Sequence, residues 1–370
     1  MNKKKAMKIN KTPFMFILVS AFLFGVSVPF AKILVYDIPP VPLASFLYLG
    51  AFLGLSLYSA VRMKSRHVLE HKSASIEKKD IPWLIGAIIA GGVIGPICLM
   101  IGLTLVSGFT ASLLLNLEGL CTALIAVLLF KEHASMRVWV ALCCMTIAGV
   151  FLTWDTREGV FTVMGALLII FAMVCWGIDN NLTRNISDKD PVTIAKIKGL
   201  AAGTASLTLA LILGINLILG IKITWDYKIA MALLLGALSY GISLVFFIKA
   251  LKDLGSLRTV LFFSSAPFIG AIASLLILRE WIGWTMFPAM TLMIVGVWLT
   301  AGEKHVHLHI HEPVTHNHLH THTDMHHLHE HRGPFCEPHT HEHTHAQLIH
   351  THEHYPDTHH RHVHKRKRSC

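Results

Sequence analysis

The chain has 370 residues, 53% of them hydrophobic and only 15% charged, with a mean hydropathy of +0.56 and a formal charge of +10 at pH 7. A soluble domain would carry near 25% charge, so the composition argues against a water-soluble enzyme and for a membrane protein. The basic excess sits in short joints between apolar blocks, where it reads as a topology signal, and nucleic-acid binding is a poor second explanation.

In chain order, Lys3, Lys4, Lys5, Lys8 and Lys11 precede the first apolar run. This start resembles a signal peptide, but the run is span-length and shows no convincing cleavage site, so it is taken as the first helix. Ten apolar blocks follow one another, near 13–35, 40–60, 81–104, 107–130, 134–154, 160–184, 192–214, 228–250, 257–278 and 282–301. A helix of about 20 residues spans the hydrocarbon layer, and the blocks lack the strict alternation of barrel strands. The expected fold is therefore an all-α polytopic membrane protein with ten transmembrane helices. Alternate joints are rich in cations: Arg62, Lys64, Arg66, Lys72, Lys78 and Lys79, then Lys131 and Arg137, then Arg184, Lys189, Lys196 and Lys198, then Lys249, Lys252 and Arg258. The opposite joints hold only Arg157, Lys222, Lys228 and Arg279. The positive-inside rule places both termini in the cytoplasm. Cys98, Cys121, Cys143, Cys144 and Cys175 fall inside spans as small apolar residues and Cys336 and Cys370 lie in the tail, so no disulfide framework is indicated.

Within the blocks a few polar residues stand out. Glu118 lies near the middle of the fourth, where a charge costs at least about 2.5 kcal/mol, so it should face the bundle interior or a wet cavity. It is either a substrate or proton-coupling group or a structural acid bonded to a neighbouring helix. Asp179, Asn180 and Asn181 are consecutive, and at ~100° per residue they wrap most of a helix, so at least one must face protein. Asn116, Tyr240, Ser264 and Ser265 are neutral polar residues that bind ligands or join helices. Pro29, Pro96 and Pro267 can free a carbonyl in mid-helix. Glycine pairs such as Gly50/Gly54, Gly91/Gly95 and Gly199/Gly203 suit close helix packing and leave a homodimer open. No phosphate-cradling loop, nucleophile triad or haem signature is present, and the membrane part requires no cofactor.

The chain repeats itself. Phe24-Gly25 is followed seven residues after the glycine by Lys32, and Trp176-Gly177 at the same interval by Arg184. Lys131-Glu132 ends one block and Arg279-Glu280 its counterpart. Lys32 and Arg184 are either snorkelling cations or an anion clamp on each side, and Glu132 and Glu280 pair with their own neighbouring cations or take part in such a gate. Each repeat holds five helices, and an odd number forces the second to enter the membrane from the opposite side, which is an inverted-topology repeat.

With these motifs, together with Leu115-Asn116-Leu117-Glu118-Gly119, Trp176 through Arg184, Tyr240-Gly241-Ile242-Ser243 and Ser264-Ser265-Ala266-Pro267-Phe268, the chain resembles the EamA-type proteins of the drug/metabolite transporter superfamily. Phe24 stands where tryptophan is usual. The resemblance implies a 5+5 secondary transporter with its site walled by helices 1, 3, 4, 6, 8 and 9. It implies a cytoplasmic N-terminus at 1–12, repeats at 13–154 and 161–302, and a lipid bilayer and a small-molecule or metal-ion substrate as partners.

The remaining segment, 303–370, carries 23 of the 26 histidines, all but His67, His71 and His133. They are His305, His307, His309 and His311, then His316, His318, His320 and His322, then His326, His327, His329 and His331. After Cys336 come His339, His341, His343 and His345, then His350, His352 and His354, and last His359, His360, His362 and His364. Imidazole suits Zn, Ni, Co and Cu, and residues two apart in an extended chain fall on one side. The tail is expected to be a metal-binding, disordered, cytoplasmic segment, since it has too little apolar surface to fold alone. Whether the metal is cargo, regulator or store is left open, as is a non-transporting metal-responsive receptor.

Overall fold

The computed structural model describes residues 12–64, 76–130, 136–153, 159–186, 189–213, 227–247, 250, 262–280, 283–301, 305–311, 314–320, 339–345 and 348–354. The first half runs through α1 (Thr12–Leu34), α2 (Pro40–Lys64), a 3-10 turn at Lys78–Asp80, α3 (Ile81–Ala87), a π-helical segment at Ile88–Ile94, α4 (Gly95–Leu105), α5 (Gly108–Leu114), α6 (Leu117–Phe130) and α7 (Met136–Thr153). The second runs through α8 (Gly159–Arg184), α9 (Pro191–Ile212), α10 (Tyr227–Leu235), a second π-helical segment at Gly236–Ile242, α11 (Ala266–Leu278) and α12 (Met286–Ala301).

Among the described residues, six stretches are long and apolar enough to cross a membrane: Phe14–Leu34, Pro40–Val61, Lys78–Leu105, Thr162–Thr183, Pro191–Ile212 and Tyr227–Phe247. Trp139–Leu152, Ala266–Leu278 and Met286–Leu299 are shorter apolar helices. Helices are the outcome because hydrocarbon offers the backbone no partners, so each segment must bond its own amides. The apolar residues point both ways: Leu47, Leu99 and Leu113 are buried, while Leu57, Leu211 and Trp298 are exposed where lipid would lie.

The contacts between halves come in matched pairs. The first π segment packs on α8 and the second on α1; α9 packs on the first and α2 on the second; α6 packs on α8 and α11 on α1. α2 also packs on α9, and α7 on α12. Two glycines set the closest approach: a Cβ on Gly50 would collide with the Leu233 carbonyl, and one on Gly236 with the Leu47 carbonyl. Any larger residue there must push two backbones apart.

Ion pairs repeat the same exchange with their signs reversed. Asp37, five residues after Lys32, pairs with Lys228 at 2.6 Å. Lys189, five residues after Arg184, is buried and reaches Asp80 and Glu77 at 3.5 Å each. Lys189 is therefore a packing residue. Hydrogen bonding from Lys79, with the Lys189 charge nearby, holds the exposed Glu77 carboxyl below its ordinary range.

Two expectations are corrected. The predicted continuous blocks 107–130 and 257–278 are interrupted, by turns at Leu115–Asn116 and at Ser264–Ser265. The described membrane part, Thr12 to Ala301, is all-helical as expected, but the tail, expected to be disordered, contains four strands: β1 (His305–His311), β2 (Val314–His320), β3 (His339–His345) and β4 (Leu348–His354). β1 pairs antiparallel with β4 and β2 with β3. Low apolar content rules out a packed core, but alternation with Val, Leu, Ile and Thr fits the period of a strand and lets the backbone pair with itself.

Candidate functional site

The site begins with one carbonyl. A π-helix bonds each N–H to the carbonyl five residues back, as the Gly95 amide does to Ala90. The next residue, Pro96, has no N–H, so the Gly91 carbonyl is left without its backbone donor. Two side chains take the place: the Tyr48 hydroxyl donates to it at 2.8 Å and the buried Trp176 Nε1 at 3.0 Å. Gly91 has no room for a side chain, because a Cβ would enter the Asp179 carboxylate. The first π segment is thus the place where α2, α8 and the Asp179 carboxylate converge.

Asp179 is 8% exposed and receives both of its oxygens' bonds from Lys198 of α9, at 2.6 Å each. The Thr183 hydroxyl donates to it at 2.8 Å. Asn181, also buried, donates to the Thr122 and Gly177 carbonyls at 3.0 and 2.8 Å. Asn180 is exposed and donates to Glu118 Oε1 at 2.9 Å and to Thr122 Oγ1 at 3.1 Å. Two of the three consecutive polar residues therefore face protein, and the third meets Glu118.

Glu118 is half-buried in the first turn of α6, just past the break at Leu115–Asn116. An acid there is favoured by the helix dipole and by free amides at the new N-terminus. Asn116 lies at the break, where it donates to the Leu113 carbonyl at 3.1 Å. The counterpart break in the second half behaves alike: Ser265 donates to the Phe262 carbonyl at 2.6 Å, and α11 begins at Ala266 with Pro267 in its first turn. Ser264 is half-buried in the same turn. Aromatic rings form an adjoining wall. Phe24 lies 5.9 Å from Tyr240, 6.4 Å from Trp176 and 5.5 Å from Phe263, and Tyr48 lies 5.8 Å from Tyr240.

A second group of polar residues sits near the ends of α1, α4 and α11. Lys32 is buried and donates to the Leu103 carbonyl and, at 2.8 Å, to the Val106 carbonyl. It thereby satisfies the C-terminal carbonyls of α4. The Glu280 carboxylate accepts from the Gly108 and Phe109 amides at 2.6 and 2.8 Å, capping the start of α5. Both residues line a cleft of about 410 Å³ with Tyr36, Thr104 and Thr162. Glu132 and the Arg184 side chain lie outside the described residues, as do the side chains of all the tail histidines. Among the helices' described residues, no three His, Cys, Asp or Glu are grouped to hold a metal ion, and Cys98, Cys121, Cys143, Cys144 and Cys175 are free thiols.

Of the residues singled out in the sequence, the structure brings together Glu118, Asp179, Asn180 and Asn181, with Tyr240 on the aromatic wall. Asn116 and Ser265 serve the two breaks. Lys198, Tyr48, Thr122 and the π segments went unrecognised. Lys198 carries a signal in the sequence: it lies well inside the predicted span 192–214, where a cation is costly.

The profile of the EamA-like transporter family matches twice, at residues 11–154 and 163–302. An uncharacterized transporter of Methanothermobacter thermautotrophicus is 26% identical over 296 residues, which cover 76% of this chain and 84% of that one. A solved crystal structure superposes with a TM-score of 0.53 at 18% identity, covering 77% of this chain and 95% of the other, a likeness of fold. The chain is thus a multi-pass membrane protein built of two repeats, not an enzyme, and it belongs to the EamA-like transporter family.

Proposed function

We propose that the protein is a bacterial inner-membrane secondary transporter that moves a small organic solute by alternating access. All ten apolar segments would cross the membrane as a 5+5 inverted repeat, with both termini in the cytoplasm. The observation that carries this is the pairing of the two broken helices: α5–α6 and the Phe262–α11 segment are interrupted at equivalent points. One break presents Glu118 to Asn180 of α8, and the other sets Phe263 against Phe24 of the Phe24–Tyr240–Trp176 wall. Discontinuous helices at a repeat interface are how secondary transporters expose half-helix ends to a solute. Rings suit an apolar or aromatic body, and the Glu118–Asn180 pair suits a polar group or a proton. Asp179, already neutralised by Lys198, serves as the fixed partner that keeps α8 and α9 together around the first π segment. The histidine tail would bind divalent transition metals and report or buffer their level; the carrier's cargo is the organic solute.

Counterflow in proteoliposomes tests the transport claim. A labelled solute should accumulate transiently against an excess of unlabelled solute inside; absence of counterflow for every amine, amino acid and aromatic metabolite tried would leave the receptor reading in its place. A reporter fused after Ala301 tests topology: it should be active only if it works in the cytoplasm, and activity of a periplasm-dependent reporter would remove a span from the ten.

A further inference from the structure

Strand register places the tail histidines opposite one another. In the β1–β4 pair His305 faces His354, His307 faces His352 and His309 faces His350. In the β2–β3 pair His316 faces His343, His318 faces His341 and His320 faces His339. No histidine of these six couples is offset from its partner. The strands are antiparallel and the couples recur every second residue, so each set of six lies on a single face of its ribbon.

The spacing is the argument for a ligand. Directly opposed residues have Cα atoms about 4.5–5.5 Å apart, and successive couples are about 6.6–6.8 Å apart along the strand. A divalent transition ion binds imidazole nitrogen at about 2.0–2.1 Å and takes four ligands in a tetrahedral site. Two neighbouring couples supply four imidazoles within such a patch.

We infer that the tail is a metal-closed hairpin: the facing histidine couples of β1–β4 and of β2–β3 form two ladders that each hold zinc, nickel, cobalt or copper ions between the strands. The inference rests on the reading of the tail as metal-binding and adds the place, the ligand grouping and the consequence. Binding ties residues near 305 to residues near 354, so metal shortens the tail beside the last helix. Loss of metal releases it.

The test separates register from composition. The full-length protein in nanodiscs is titrated with Zn(II) and with Ni(II) at pH 7.5 by calorimetry, against a chain ending at Ala301. A scrambled variant exchanges neighbours without altering composition: His307→Leu with Leu308→His, and His318→Leu with Leu319→His. Each exchange moves one imidazole to the other face of its strand. The expected result is tight binding by the full-length protein, absent from the shortened chain and at least about tenfold weaker at one site per ladder in the scrambled variant. Equal binding by the scrambled and natural chains would overturn the ladders while leaving a metal-binding tail. No binding by the full-length protein would overturn both.

Discussion

Glu118→Gln is expected to abolish net transport while leaving the protein folded. Glutamine keeps the shape of the side chain and can still accept from Asn180 Nδ2, the bond seen at 2.9 Å. It removes the negative charge and the capacity to exchange a proton. A hydrogen bond from the solute to a charged acceptor contributes about 1.5–3 kcal/mol, so replacing the carboxylate weakens solute capture by roughly ten- to a hundredfold. If Glu118 only couples protons, the variant should still exchange solute for solute but should not accumulate it against a gradient. Counterflow and gradient-driven uptake, measured side by side on the same proteoliposomes, distinguish the two. Natural rates in both, with an unchanged pH profile, would make Glu118 a structural residue.

The second large effect is expected at the Asp179–Lys198 pair. Both side chains are largely withdrawn from solvent, and the carboxylate is boxed in by Gly91 and Thr183. Removing one partner of a buried pair leaves the other uncompensated and costs about 3–5 kcal/mol, whereas replacing both is often neutral. Lys198→Met and Asp179→Asn should each lower the thermal unfolding temperature in detergent, and the double variant should recover most of the loss. Transport should not recover with it, because the pair positions the first π segment against α8. Additive losses in the double variant would show that the two residues do not stabilise one another, and recovery of transport would show that the charges themselves have no part in the cycle.

Much of the architecture is legible in the residues alone. Long apolar blocks mark the chain as a multi-pass helical membrane protein, because only a helix can satisfy its own amides in lipid. The spacing of Phe24-Gly25 to Lys32 and of Trp176-Gly177 to Arg184 discloses the repeat. Glu118 and Asp179 stand out because an ionisable group inside a span is costly enough to need a reason. Where sequence reasoning stopped short, the missing information was a partner distant in the chain. Nothing beside Lys198 reveals Asp179, nineteen residues away. Nothing beside Gly91 reveals that Tyr48 and Trp176 will share its carbonyl, although Pro96 marks that some carbonyl must be freed.

The two breaks and the tail show the same division. Composition makes 107–130 and 257–278 apolar enough to be helical, but the turns at Leu115–Asn116 and Ser264–Ser265 are set by packing: α5 rests on α11, and α6 on α8. Periodicity of two is plain in the tail histidines, yet it does not say which strand meets which; that is decided by the β1–β4 and β2–β3 register. The membrane class, the repeat and the chemistry on offer follow from local hydropathy and residue type and are read from the chain alone. Only the tertiary structure decided which polar groups meet, because the energy of a buried carboxylate, a freed carbonyl or an imidazole couple depends on the partner brought to it and not on its neighbours in the chain.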